Sequence, residues 1–482
     1  MKQIFYAVSA CLLLTTCKPD YENPNSYLIK AKITDTKGTV IKEGASGETI
    51  MISSAEFANI SPNGLTANNT QVYFDKIQVS FQQVSSTTIL LQIPTMYLAD
   101  YKTFNISVRY NQITFNIIQK ILYRPTVTAE VLAGHDGTFQ MPAEMTIDGY
   151  GNIYVIDQRP SHDIIYKITP TGETSLFAGG ANEFGRLVGI GIDVVTLRMF
   201  VSDATAQQVK YFNMSSPSVV NVLAGSGVAG NTDGPASTAT FRFGTERVDN
   251  FSNNEKGQGM HVDLLGNVWV GEQYGTAFSG KESQIRKISG ATVTTVPGSR
   301  ITMPTGPEVL HPVSAVTVLP TTGDVVYIGG SSSFFQGIAR ITPTGTMTRI
   351  AGKVSNENLV DGTGSAVEFA YPKAISYYDS YYHVADGTNG AYRRVTLDGS
   401  VITLAGVGHF DTPSFCACGI TGPVNSSYVM PSIFNTSPDR FKLAAKAIIM
   451  DQVGGIAVRN NSLIYLSDFG ENFKCIWKIR VE

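Results

Sequence analysis

The chain has 482 residues, a formal net charge of −3 and 16% charged residues. That composition is globular and long enough for two or three domains, and it lacks the basic footprint of a nucleic-acid binder. Twenty-two Tyr and 24 Phe against two Trp suit a strand-rich protein.

Residues 1–17 read as a targeting segment. Lys2 gives a positive start, and Ile4 to Leu14 is an apolar run too short to span a bilayer as a stable helix. The run ends Leu14-Thr15-Thr16-Cys17, which resembles the lipobox of bacterial lipoproteins. The resemblance implies cleavage before Cys17 and lipidation of its thiol, and two or more acyl chains anchor stably where one does not. An ordinary signal peptide with an incidental cysteine is the alternative. Residues 18–26 form a polar tether, and Lys18-Pro-Asp-Tyr-Glu22 loosely resembles surface-export signals of Gram-negative lipoproteins.

Residues 27–124 carry short alternating runs. They include Glu48-Thr-Ile-Met-Ile-Ser53, Ile77-Gln-Val-Ser-Phe81, Thr88 to Pro94, Phe104 to Tyr110 and Thr114 to Ile118. Such runs predict a β-sandwich. Their order, after Gly44 and Gly47, resembles an IPT/TIG immunoglobulin-like domain; Leu28 to Thr39 departs from that pattern. Arg124-Pro125 is the expected hinge, because a residue before proline is held extended.

From residue 125 one phrase recurs. Met145 to Asp157 and Gly259 to Glu272 each place alternating apolar residues on both sides of a Gly-Asn turn, a strong hairpin signal. Looser copies span Ile190 to Asp203, Ala315 to Gly329, Ile375 to Asp386 and Ile456 to Asp468. Six short endings, from Leu132-Ala-Gly134 to Leu404-Ala-Gly406, are offset against the six hairpins. A ring explains the offset: Thr128–Gly134 supplies the outer strand of the last blade and leaves no free edge. The phrase resembles the NHL repeat over Val127 to Glu482, which implies a six-bladed β-propeller over residues 125–482. The expected fold class is all-β, an immunoglobulin-like sandwich followed by that propeller. The resemblance leaves function open, since this fold hosts lyases, lactonases and binding scaffolds.

Two insertions, Gly230 to Asn254 and Val407 to Val453, lengthen blades three and six. The near copies Asp233-Gly-Pro-Ala-Ser-Thr-Ala-Thr-Phe241 and Asp361 to Phe369 read as a structural Asp-Gly turn with a Phe plug. Cys416, Cys418 and Cys475 are an odd set in an exported chain, so at least one thiol is free or paired elsewhere.

The first strand of each blade starts at the mouth of the central channel. Aligning the copies puts Glu144, Gly189, Gly259, Ser314, Ala374 and Gly455 on one ring, and Thr146, Gly191, His261, Val316, Ser376 and Ala457 two residues on. The polar exceptions Glu144, Gln258, His261 and Lys373 are the candidate ligand-binding residues. His261 suits a metal ligand or a base, or simply a histidine satisfied in a wet channel. Asp157, Asp203, Glu272, Asp386 and Asp468 end the second strands and read as structural, as Asp does when it bonds turn amides. No cofactor and no metal site are expected from these residues, because a calcium or zinc ion needs three or more convergent ligands. No Gly-x-Ser-x-Gly elbow or phosphate loop is visible. Tyr371, Tyr377, Tyr378, Tyr381, Tyr382, Phe334, Phe335 and Trp269 are a possible sugar platform, although alternation buries about half of such residues.

The reading is an exported, lipid-anchored protein of the outer membrane, facing the cell surface or, as the alternative, the periplasm, with the sandwich as spacer. Binding of carbohydrate or another extracellular ligand in a glycan capture system is preferred, with an uptake-system protein as possible partner and no nucleic acid. A propeller lyase or hydrolase and a protein-interaction scaffold are the alternatives.

Overall fold

A computed structural model describes residues 18–482 apart from 20–25, 42, 46–47, 61–64, 67–68, 75–76, 95–101, 111, 120, 125–126, 135, 182, 245–258, 277–278, 301–312, 330–334, 355–357, 407–442, 445–449, 451, 471–473 and 482. The chain is nearly all-β and divides after Thr126 into two compact units.

In the first unit the alternating runs become strands because each has one apolar face to bury. In Thr70–Phe74 the side chains of Thr70, Val72 and Phe74 are buried, and Gln71 and Tyr73 are not. A six-stranded sheet runs Lys18–Pro19, Ser26–Ile29, Ile113–Ile117, Ile106–Tyr110, Thr70–Phe74, Ile77–Val79. A four-stranded sheet runs Lys32–Asp35, Thr49–Ser53, Thr88–Gln92, Phe81–Ser85. Both contribute to one core that includes Ile29, Ile52, Val72, Ile89, Val108 and Phe115. Strands Ser26–Ile29 and Lys32–Asp35 occupy much of the stretch that departed from the expected pattern. A short helix, Ala55–Ile60, is an addition, and its Phe57 is fully buried in the same core.

The second unit has the sheet arrangement of a β-propeller. Its described residues form six sheets of four or five antiparallel strands. Their first strands are Pro142–Ile147, Leu187–Asp193, Met260–Val262, Val313–Val318, Pro372–Tyr378 and Val453–Asn460. Each first strand touches the next, and the last touches the first, so the six close a ring. In the last sheet, strand Val127–Ala133 lies beside Cys475–Val481. The end of the chain thus returns to the beginning of the second unit to complete a sheet, as the offset of the repeat endings requires.

The ring is tight. A Cβ on Gly259 would stand 2.7 Å from the Ala315 Cβ, and one on Gly455 would stand 2.4 Å from the Ala143 carbonyl oxygen. Glycine at these places lets neighbouring strands approach to backbone contact. Ser467 ties the same seam: its hydroxyl donates to the Ala143 carbonyl at 2.7 Å and accepts the Gly455 N–H at 2.7 Å.

Candidate functional site

The first strands share a defect. In five of the six sheets their pairing slips between Pro142 and Met145, Leu187 and Gly189, Val313 and Ala315, Pro372 and Ala374, and Val453 and Ile456. A bulge leaves its extra residue out of the ladder and re-aims its side chain. Glu144 and Lys373 are such residues. The pairing in the fourth sheet also corrects the alignment: Val316 pairs with Tyr327 as Met145 pairs with Val155, so Ala315, not Ser314, is the counterpart of Glu144. The counterpart of Thr146 and His261 is accordingly Thr317, whose side chain is buried.

The ring encloses a cavity of about 180 Å³. Glu144 and His261 both line it, with Thr146 and Ser376 adding hydroxyls and Gly191, Gly259, Ala315, Ala374 and Ala457 leaving room. Glu144 is half-buried, yet its Oε1 is shielded and has no hydrogen-bond partner among the described residues. Burial pushes its carboxyl up to about 8, against a smaller downward pull from Lys373. Burial likewise holds the His261 imidazole down at about 4, opposed by the Asp263 carboxylate. At neutral pH the cavity therefore presents a protonated acid and a neutral imidazole. Each donates and accepts hydrogen bonds without carrying charge. Lys373 is buried nearby but does not line the cavity. Gln258 and Cys17 lie outside the described residues, as do Cys416 and Cys418.

The acidic residues at the ends of the second strands point into turns. Asp157 Oδ1 accepts the N–H groups of Gln140 and Met141 at 2.8 and 2.6 Å. Asp386 accepts the Ala370 N–H at 2.8 Å, and Asp468 the Gln452 N–H at 3.0 Å. Asp203 takes the Gly185 N–H at 3.1 Å and Glu272 the Arg242 N–H at 3.0 Å. Asp157, Asp203, Asp386 and Asp468 each fix the chain that leads directly into their own sheet's first strand. Among the described residues no three His, Cys, Asp or Glu side chains group to hold a metal ion.

Two arginines complete a duplicated clamp that the sequence reading missed. Arg286 donates to Glu272, Asp233 and the carbonyls of Thr240 and Thr232. Arg393 repeats the pattern with Asp386, Asp361 and the carbonyls of Glu368 and Val360. Their guanidinium groups lie over the rings of Phe241 and Phe369, at 5.2 and 4.6 Å. The near copies thus make a turn, a phenyl plug and an arginine lock. The signal available in sequence was an Arg two residues before an apolar strand residue in both copies, which reads alone as an ordinary repeat position.

The aromatic candidates are mostly core. Tyr371, Tyr382, Phe335 and Trp269 are buried; Tyr378 is exposed; Phe334 lies outside the described residues. Trp269 donates from Nε1 to Asp263 at 2.9 Å. A different surface stands out instead. Tyr150, Val194, Val195, Leu197, Leu264 and Leu265, in the hairpin turns of the first three sheets, are all more than half exposed.

No protein-family model matches the chain, and no curated protein matches it. Solved structures do. A structural-genomics protein of unknown function from Bacteroides thetaiotaomicron superposes with TM-score 0.51 at 12% identity, covering 96% of this chain and all of that one. An auxiliary nutrient binding protein from Bacteroides ovatus gives 0.47 at 14% identity, covering 94% of this chain and 97% of that one. A streptogramin B lyase gives 0.40 at 10% identity, covering 74% of this chain and 98% of its own. The first likeness shows the fold alone; the other two carry no functional argument.

Proposed function

We propose that this is an exported, lipid-anchored binding protein whose ligand is held at the central cavity of a six-bladed, NHL-type propeller, with an IPT/TIG-like domain before it. The observation that carries the reading is the meeting of Glu144 and His261 in one cavity otherwise lined by small and aliphatic residues. A concave site with a few convergent polar groups is the default place for a ligand. Two uncharged donor–acceptor groups suit a neutral, hydroxyl-bearing extracellular molecule, such as a carbohydrate in a glycan capture system. The second-strand carboxylates already hold backbone amides, so general acid–base work falls to the same two residues.

Binding is tested by titrating a panel of neutral sugars into wild type, His261→Ala and Glu144→Ala. Each variant is expected to weaken binding by roughly 1 to 3 kcal/mol, the range for losing a buried polar partner. Metal-dependent lactone hydrolysis or lyase turnover that disappears in His261→Ala would overturn binding in favour of an enzyme. The apolar turns of the first three sheets favour a second reading, a surface that docks a protein of the uptake system.

A further inference from the structure

A second cavity lies wholly within the first unit and holds about 530 Å³, inside the usual range for ligand sites. Its origin is a crossing of the chain. Edge strand Ile77–Val79 belongs to the six-stranded sheet, and after Ser80 the chain becomes Phe81–Ser85, the edge of the four-stranded sheet. The switch leaves a groove beside the end of Thr88–Gln92. Buried Leu91 and Ile93 form its floor, half-buried Phe81 a wall, and exposed Gln78, Gln82 and Gln92 the rim.

Among the described residues, none that lines it is charged. An ionic ligand would lose its hydration there and gain no counter-charge. Each glutamine amide offers two donor hydrogens and an acceptor oxygen, the complement of neighbouring hydroxyls that also do both. The Phe81 ring supplies an apolar face of limited size, as a pyranose ring needs. We propose that this groove binds a neutral oligosaccharide, so that the first unit is a second binding module and not only a spacer. The inference is independent of the propeller cavity.

The test is calorimetric titration of the full chain with maltohexaose, cellohexaose, laminarihexaose and mannohexaose. Hexagalacturonate serves as the charged comparison, and an extended Val-Thr hexapeptide as a probe for strand addition at the Phe81–Ser85 edge. At least one neutral hexasaccharide binds, and hexagalacturonate does not. Gln82→Ala with Gln92→Ala weakens that binding by about tenfold or more, as two lost hydrogen bonds imply. Phe81→Ala weakens it further. The two glutamines are exposed, so their variant keeps the test alive if Phe81→Ala fails to fold. Three results overturn the proposal: no neutral hexasaccharide binds; the loss follows His261→Ala and not the glutamines; or the hexapeptide alone binds at this edge.

Discussion

Replacing Glu144 by Gln should stabilise the second unit, and increasingly so as pH rises. In the unfolded chain the carboxyl ionises near its ordinary 4.5, whereas in the fold it keeps its proton up to about 8. Because the folded value is the higher one, the stability linked to this proton is fully present below pH 4.5. It declines as pH rises and levels off above 8. Each pH unit in that window costs about 1.4 kcal/mol, so the charge-competent side chain costs about 3 kcal/mol at pH 7 and about 5 above pH 8. Part of Glu144 stays open to the cavity and its water, so these are upper limits. Glutamine keeps the shape and removes the titration. Both tryptophans, Trp269 and Trp477, are buried in the second unit, so selectively excited tryptophan fluorescence during urea unfolding reports that unit alone. Wild type and Glu144→Gln should agree at about pH 4.5 and diverge steadily toward about pH 8. Parallel pH profiles, or a variant less stable at the upper end, would refute the argument that burial dominates this carboxyl.

Three further outcomes follow from the geometry. Deleting residues through Gly134 should unfold the second unit while a cut near Arg124 leaves its urea midpoint unchanged, since only the first removes the strand beside Cys475–Val481. Arg393→Leu should cost about 3 to 5 kcal/mol in the same assay, because fully buried Asp386 loses its cation. An unchanged midpoint would mean the clamp contributes nothing. His383 is fully buried, bonds Tyr392 at 2.7 Å and Asn461 at 3.1 Å, and is held by burial down at about 3. Its unfolded form takes up a proton below about 6.5, so it should destabilise the fold by up to about 1.4 kcal/mol for each pH unit from there down to about 3. His383→Gln should flatten that acid limb, which unfolding curves across the window would check.

Much of this was legible because repetition is a loud signal. Gly-Asn turns between alternating runs marked the hairpins, and the offset endings marked the strand at Thr128. Asp157 and its counterparts were readable as structural, because a short carboxylate at a strand end meets turn amides. What escaped has physical reasons too. Val313–Val318 is mostly apolar in both registers and buried throughout, so alternation could not fix which residue matches Glu144, and Ser314 stood where Ala315 belongs. The helix Ala55–Ile60 is too short for a helical period to register. Arg286 and Arg393 sit where the repeat tolerates a solvated cation, and only the fold brings Asp233 and Asp361 back over them. Glu144 and His261 were visible as polar exceptions among small residues, but their common loss of charge comes from burial that no spacing reveals.

The last sheet has a consequence for the order of assembly. Strand Val127–Ala133 leaves the ribosome long before its neighbour Cys475–Val481 exists. Until then it has only solvent or wrong partners along one edge, and the five completed sheets surround an open notch. Pairing across so great a sequence separation makes closure slow compared with the local hairpins. A nascent chain therefore passes through an unclosed intermediate with two exposed edges, Val127–Ala133 and the growing last sheet. That intermediate is the species a chaperone would need to shield and the species in which two copies can exchange their closing strands.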